Sequence, residues 1–365
     1  MNIPYVNIKA QWEEERIELL REIEKNLSTG MYISSPIVDE FESNISKFCG
    51  TKRCVALNSG TDALVFGLSA LGVKRGDEVI TPPNSFIAST SAIIHLGAIP
   101  VFVDVLPDQN IDPSKIERAI TKRTKAIMPV HLTGRMSRMD EIKFIADKYC
   151  LPIIEDAAQA IGSKYLNIPS GKWGKIGCFS AHPLKNLNAC GDSGFLVTDD
   201  EEIAKMIKSL RNHGMSDRNT VNHFGYVSRM DSIQATILNY RLKKLDRVIK
   251  KRRNNADLYY NNLDRNKIFI PNLKQEEFNT YHTFVIQVEN RDKLKKDLLN
   301  KGIETSIHYP IPIHLQPASL KLGYKIGDFK LAEEQSNKIL TLPINQYLTS
   351  KEIIYISDMV NKLSN

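Results

Sequence analysis

Lys185 sits in the run Phe179-Ser180-Ala181-His182-Pro183-Leu184-Lys185-Asn186-Leu187. His182-Pro183-Leu184 makes a tight apolar turn before it, and the stretch from Asn186 to Gly194 follows as a flexible loop. A lysine held in such a turn and shielded from water has its ammonium form disfavoured, and the neutral amine can attack an aldehyde to form a Schiff base. Just upstream, Ile153-Ile154-Glu155-Asp156-Ala157-Ala158-Gln159 ends an apolar strand in an acid. A carboxylate buried there is costly without a partner. A protonated pyridine nitrogen is a suitable one, because the ion pair keeps the ring able to accept electrons. A third segment, Asn58-Ser59-Gly60-Thr61-Asp62-Ala63-Leu64, reads as strand, turn and helix start. Free N–H groups at a helix N-terminus favour a phosphate, Gly60 removes the Cβ that would block its approach, and Thr61 and Ser180 offer hydroxyl donors. An amine, an acid and a phosphate cradle are what pyridoxal 5′-phosphate (PLP) asks of a protein.

Each segment also has a plainer reading. A lysine in isolation is usually a surface charge, Asp156 is a good N-cap for the residues that follow it, and Ser59 or Thr61 can simply cap a helix. Other cofactor classes lack their signatures: there is no G-x-G-x-x-G and no G-x-x-x-x-G-K-[ST] stretch. His308 and His314 lie in a Pro-rich stretch rather than one helical turn apart, which argues against a zinc pair, so no metal site is expected.

The elements that must position these groups follow from hydrophobic patterning. After Cys49, short β-branched runs alternate with helical ones. The expected strands are 54–57, 78–81, 101–104, 126–130 and 152–155, and helices are expected over 62–71, 86–96, 113–120 and 139–149. Such alternation indicates β-α units and a largely parallel sheet, whose ligands bind at the carboxyl ends of the strands. Asn58 to Thr61, Asp156 and Ser180 all fall at such ends. Gln11 to Leu27 reads as an amphipathic helix, two more apolar runs at 177–179 and 194–197 flank Lys185, and 230–249 reads as one or two long helices. The expected division is a large lobe over 1–245 and a smaller α+β lobe over 246–365, joined by a helical and therefore rigid junction.

The chain has 365 residues, 42% hydrophobic and 25% charged, with a net charge of +7. That mild basic balance allows anionic ligands and does not imply nucleic acid. The densest basic run, Lys250-Lys251-Arg252-Arg253, reads as the solvated face of a helix. The five cysteines form no Cys-x-x-Cys pair, which fits a reducing cytoplasm. The N-terminus shows no secretory pattern, and no apolar run reaches the roughly 18 residues of a membrane span.

Taken together, the chain resembles the sugar aminotransferases of the DegT/DnrJ/EryC1/StrS family, with the aspartate aminotransferase fold, fold type I of PLP enzymes. The resemblance rests on the three segments above together with Gly76-Asp77-Glu78-Val79-Ile80-Thr81-Pro82, Pro129-Val130-His131-Leu132, Ser228-Arg229-Met230-Asp231-Ser232-Ile233-Gln234-Ala235 and His308-Tyr309-Pro310, all in order. It implies an α/β large domain, a mainly parallel sheet between helices, and a smaller α+β C-terminal domain. It further implies that Lys185 bonds PLP and moves the proton, Asp156 pairs with the pyridine nitrogen, and Gln159 hydrogen-bonds the ring's 3-oxygen. Ser180, Gly60 and Thr61 would hold the phosphate, and Phe86 would stack on the ring, although by itself Phe86 reads as a core residue. Ser228 is a further candidate phosphate ligand, and Arg229, His308 and His314 are candidate substrate residues. The implied reaction takes an amino group from L-glutamate, leaving 2-oxoglutarate and the pyridoxamine form (PMP), and delivers it to a keto-sugar. That sugar is expected to be nucleotide-linked, with a lean towards a 3-keto-6-deoxyhexose. A homodimer with shared sites is implied as well.

Two positions depart from the family pattern. Val227 stands where the family usually has an Asn that reaches the neighbouring subunit's phosphate, with Ser228 or Arg229 as possible substitutes. Thr133 stands where a Tyr is common, and Arg135 adds a charge near the site. A PMP-dependent dehydratase would carry His in place of Lys185. The alternatives left standing are an aminotransferase for a sugar without a nucleotide, and a regulatory protein that keeps the fold without catalysis.

Overall fold

The computed structural model describes residues 2–364; Met1 and Asn365 lie outside the described residues. The large lobe is built on β1 (Arg53–Leu57), β2 (Glu78–Thr81), β3 (Ile99–Phe102), β4 (Thr124–Ile127), β5 (Ile154–Asp156), β6 (Ile176–Ser180) and β7 (Gly194–Thr198). They form a four-stranded sheet, β1-β7-β6-β5, and a three-stranded sheet, β3-β2-β4. Parallel bridges from Ile127 to Ile153 and from Val130 to Asp156 join the two sheets edge to edge. The strands are short and apolar on both faces because helices cover both faces. In β1, Val55 and Leu57 enter one core while Cys54 and Ala56 enter the other, the alternation a strand imposes. The first core is closed by α3 (Gly60–Ala70), α4 (Ile87–His95) and α6 (Glu201–Leu210), the second by α2 (Pro36–Cys49).

The expected parallel sheet has one exception. β7 pairs antiparallel with both β1 and β6, whereas β5 and β6 are parallel. Parallel neighbours need a crossover connection, usually a helix. The 181–193 segment contains none, so the chain turns back instead. Both ends of the Lys185 loop are thereby held at the same end of the sheet, on its two central strands. The helix expected over 113–120 is two short 3₁₀ turns, Pro113–Lys115 and Glu117–Ala119.

The long apolar stretch after Met230 is two helices, α7 (Ser232–Leu242) and α8 (Leu245–Asn262), preceded in chain order by α1 (Ile8–Leu27) and α5 (Met139–Lys148). α8 continues past Ile249 and enters the core of the smaller lobe through Ala256 and Tyr259. That core also takes β8 (Phe284–Gln287) and β9 (Ile339–Leu342), an antiparallel pair, with α9 (Arg291–Asn300) and α11 (Ser350–Leu363). Ile3 lies in this same core, bridged to Ile303. In return, Ile313, Phe329 and Ala332 pack on Phe102 and Val105 of the large lobe, the last of the three on α10 (Lys330–Lys338). The basic run on α8 is not all solvated: Lys250 and Lys251 are exposed, but Arg252 is buried, because its helical phase matches Ile249 and Ala256 on the packed face.

Candidate active site

The carboxyl ends of β1, β2, β4, β5 and β6 meet at one cavity of about 420 Å³, into which the small lobe inserts His282, His308 and Tyr309. Gly60, Thr61, Phe86, Asp156, Gln159, Ser180, Lys185 and His308, each expected from the sequence, all line it. A larger cavity of about 630 Å³ lies between α1, α8 and residues 346–350, but its two arginines are already paired, Arg241 with Glu15 and Arg247 with Glu14.

Strand alternation separates the two acids of β5. Glu155 is fully buried on one face, where it accepts hydrogen bonds from Gly171 N (2.8 Å) and Gly174 N (2.7 Å) and meets His131 Nε2 at 2.9 Å. Ser137 N donates to His131 Nδ1 (3.2 Å), which leaves Nε2 as the nitrogen that donates to Glu155. Asp156 faces the cavity. Its Oδ2 accepts from Ser89 Oγ at 2.6 Å and its Oδ1 from Ala158 N at 3.2 Å. Only turns follow Asp156, so its bond to Ala158 is a local turn contact and not a helix cap.

Lys185 N donates to His182 O (2.8 Å), and Leu184 N to His182 Nδ1 (3.3 Å), closing the turn that the His-Pro-Leu run suggested. Its side chain is half-buried and makes no ion pair among the described residues. Burial pushes its ammonium down from the usual 10.5 to about 8, a fall that the charge of Asp156 only partly opposes. A useful share of the amine is therefore neutral near pH 7.

At the start of α3, Ser59 Oγ accepts from Asp62 N (3.1 Å), so the capping role is real. It leaves the N–H groups of Gly60 and Thr61 in the first turn without helical acceptors. A Cβ at position 60 would stand 2.7 Å from Ser180 Cβ, so only glycine lets β6 and α3 approach this closely. Phe86 is 55% exposed, not a core residue, and its ring lies 5.9 Å from that of Tyr309. Gln159 Oε1 accepts from Thr133 N (2.8 Å) and its Nε2 reaches Tyr309 OH at 3.4 Å.

Three expected residues lie elsewhere in the chain's own fold. Ser228 is buried behind the 58–61 turn, donating to Asn58 Oδ1 (3.1 Å). Arg229 donates from Nη1 to Asn212 Oδ1 (3.1 Å). His314 is fully packed between Phe102 and Phe329 with Nε2 at 3.0 Å from Glu333, which makes it a structural residue of the lobe contact. Arg135 also turns away: it pairs with Glu277 at 2.9 Å and donates to Asn272 O at 2.6 Å, so its charge is neutralised outside the cavity. Sequence reading missed His282, Tyr309 and Ser89. Tyr309 adjoins a residue already singled out, and Ser85 and Ser89 stand one helical turn apart beside Phe86; His282 carried no signal at all.

The arrangement fits PLP on structural grounds. It combines an amine whose ammonium is weakened by burial, a buried acid held by two donors, an exposed aromatic ring, and a glycine-lined turn with free N–H groups. Among the described residues, no group of His, Cys, Asp or Glu could hold a metal ion, and no helix is long and apolar enough to cross a membrane.

Comparison with known proteins agrees. Residues 13–361 match the model of the DegT/DnrJ/EryC1/StrS aminotransferase family. The chain is 37% identical over 362 residues to a dTDP-3-amino-3,4,6-trideoxy-alpha-D-glucose transaminase of Streptomyces venezuelae, covering 99% of this chain and 96% of that one. It is 36% identical over 364 residues to a Geobacillus stearothermophilus protein named a pleiotropic regulatory protein, covering 99% and 98%. Its fold superposes on the crystal structure of DesV from S. venezuelae in complex with a ketimine intermediate with a TM-score of 0.97 at 36% identity, over 100% of this chain and 99% of that one. The amine, the acid and the fold that carries them thus have one origin: the chain belongs to the DegT/DnrJ/EryC1/StrS family and is a PLP-dependent sugar aminotransferase.

Proposed function

We propose that this enzyme moves an amino group from L-glutamate to a nucleotide-linked keto-sugar, at C-3 of a hexose. The observation that carries the reading is the pairing of Lys185, with its amine shifted to about 8, and the cavity-facing Asp156 on the floor of one site. The lean to C-3 is supported by the similarity of this chain to the 3-amino-sugar transaminase of Streptomyces venezuelae. PLP, when bound, supplies a ring that draws electrons from the carbon losing its proton. The protein's own part is acid–base and positional. Lys185 takes and returns that proton from within the cavity. Asp156, oriented by the donors Ser89 and Ala158, would hold a proton on the ring nitrogen. Gln159 would donate to the ring's 3-oxygen, Phe86 would cover the ring, and Ser180 with the N–H groups of Gly60 and Thr61 would take the phosphate. His308 borders the space left for the sugar. Ser228, buried behind its own 58–61 turn, supports that turn, whereas Arg229 would serve a site only if the chain pairs with a copy of itself. The exposed run ending in Phe224, Tyr226 and Val227 is an apolar face suited to such a homodimer. A cytoplasmic setting is supported by five free cysteines. A non-catalytic regulator would have no need of an amine and an acid kept in this register.

The test is the visible spectrum of the PLP-loaded protein on addition of L-glutamate. The yellow band should bleach and return when the matching keto-sugar is added. A band that no amino acid bleaches would sink the proposal. For the homodimer, sedimentation equilibrium should give twice the chain mass; a fully active monomer would refute it.

A further inference from the structure

The 181–193 segment that carries Lys185 has no helix or strand, and side chains take up several of its carbonyls. Leu187 and Ala189 anchor it in the second core. Asn188 Nδ2 donates across the loop to Pro183 O (2.8 Å), so the two residues bridge over Lys185. The Asn188 side chain also exchanges two hydrogen bonds of 3.0 Å with Gln11 of α1. Gln234 of α7 exchanges two with the backbone of Cys190, at 2.9 and 3.3 Å. Arg241, also on α7, is buried and binds the loop more fully. Its Nη1 donates to Asn188 O (2.8 Å) and to Ala189 O (3.3 Å). Its Nε donates to both carboxylate oxygens of Glu15 on α1 (3.0 and 3.2 Å), a residue buried in its turn. Its Nη2 donates to Glu15 Oε1 and to Cys190 Sγ (3.6 Å). Every N–H of the guanidinium thereby has an acceptor, and no other side chain offers five donors in one rigid plane.

We propose that Arg241, clamped by Glu15, is a positioning residue for Lys185: through the carbonyls of Asn188 and Ala189 it holds the loop so that the amine stays buried in the cavity that Asp156 lines. The inference rests on the reading of Lys185 as the lysine that bonds PLP, and adds what keeps it in place. A buried ion pair is costly to desolvate, and apolar residues of similar volume often replace one without loss of stability, so what this pair contributes is a fixed geometry. Packing alone does not supply that geometry. Behind the loop, Asn186, Asn188, Arg241 and Glu15 border the cavity of about 630 Å³, into which an unclamped loop has room to recede. The consequence falls on Lys185 because burial is what weakens its ammonium. A loop that recedes draws the amine towards water and raises its affinity for the proton.

The experiment mixes apoprotein with PLP and follows how fast the yellow band forms as a function of pH, in wild type, Arg241→Lys, Arg241→Met and Glu15→Gln. The midpoint of that profile reports the neutral amine. It should move up by about one pH unit in both Arg241 variants, so that band formation at pH 7 slows about tenfold. Lysine at 241 keeps a charge for Glu15 but lacks the fork that reaches both carbonyls. Glu15→Gln keeps an oxygen acceptor and should shift the midpoint in the same direction by less. Leu348→Ala, in the small-lobe wall of the same cavity, separates positioning from a general loss of stability: its melting temperature should fall while its midpoint stays at the wild-type pH. If Arg241→Met does not fold, Arg241→Lys and Glu15→Gln decide. Midpoints that match wild type in those two would overturn the proposal, as would an equal upward shift in Leu348→Ala. A wild type that forms no yellow band at any pH would instead overturn the reading of Lys185 beneath it.

Discussion

At the scale of the residue, the chemistry of Lys185 comes at a cost in stability. Burial lowers its ammonium from 10.5 to about 8, so the folded protein binds that proton less well than the unfolded chain. The penalty is fully present below about 8. It is relieved as pH rises from about 8 towards the ordinary lysine value, because over that window the unfolded chain holds the proton and the folded one does not. Lys185→Met apoprotein should therefore melt above wild-type apoprotein at pH 7, with the gap narrowing by pH 10, and should be inactive at both. Thermal denaturation across that range checks it; a gap that does not depend on pH would place the amine in water. Lys185 and Asp156 were legible because of the local runs that hold them, a lysine directly after His-Pro-Leu and an acid closing an apolar strand. Arg135 was misread for the converse reason: nothing in the neighbourhood of 133–135 reveals that its partner is Glu277, more than a hundred residues away in sequence.

At the scale of the element, β5 sets the site through its two-residue period. Asp156 is presented to the cavity because Glu155 is locked on the other face by Gly171 N, Gly174 N and His131. Glu155→Ala would leave a buried imidazole and two amides without an acceptor, and should cost about 3–5 kcal/mol of unfolding free energy. Denaturant unfolding measures it, and PLP affinity should fall with it, since Asp156 sits on the same backbone. A variant as stable as wild type would mean that β5 is held by its strand pairing alone. The strands themselves were readable from their apolar runs. The direction of β7 was not, because it depends on the absence of a crossover helix rather than on any residue within β7.

At the scale of the whole molecule, the two lobes are interlaced rather than appended. Ile3 is fully buried in the small-lobe core against Ile303, although about 240 residues of large lobe follow it before α8 begins. Ile3→Ala should lower stability by about 2–5 kcal/mol, read as a shift of the denaturant midpoint. An effect within about 0.5 kcal/mol, typical of surface positions, would show that the N-terminal segment does not clamp the lobe. The clamp matters to function because the small lobe supplies His282, His308 and Tyr309, the wall that faces Lys185.

The sequence by itself determined the reacting pair, the phosphate turn and the alternation of strands and helices, since each is written in local residue type and spacing: a lysine after His-Pro-Leu, an acid closing an apolar run, a glycine at a helix start. Only the tertiary structure decided which of the remaining polar residues meet them. His282 and Tyr309 reach the Lys185 site from the small lobe, while His314, Ser228 and Arg135 are drawn into contacts elsewhere. Contacts between residues distant in sequence are settled by how packed layers come together, and a local pattern holds no record of the partner that a side chain finds across them.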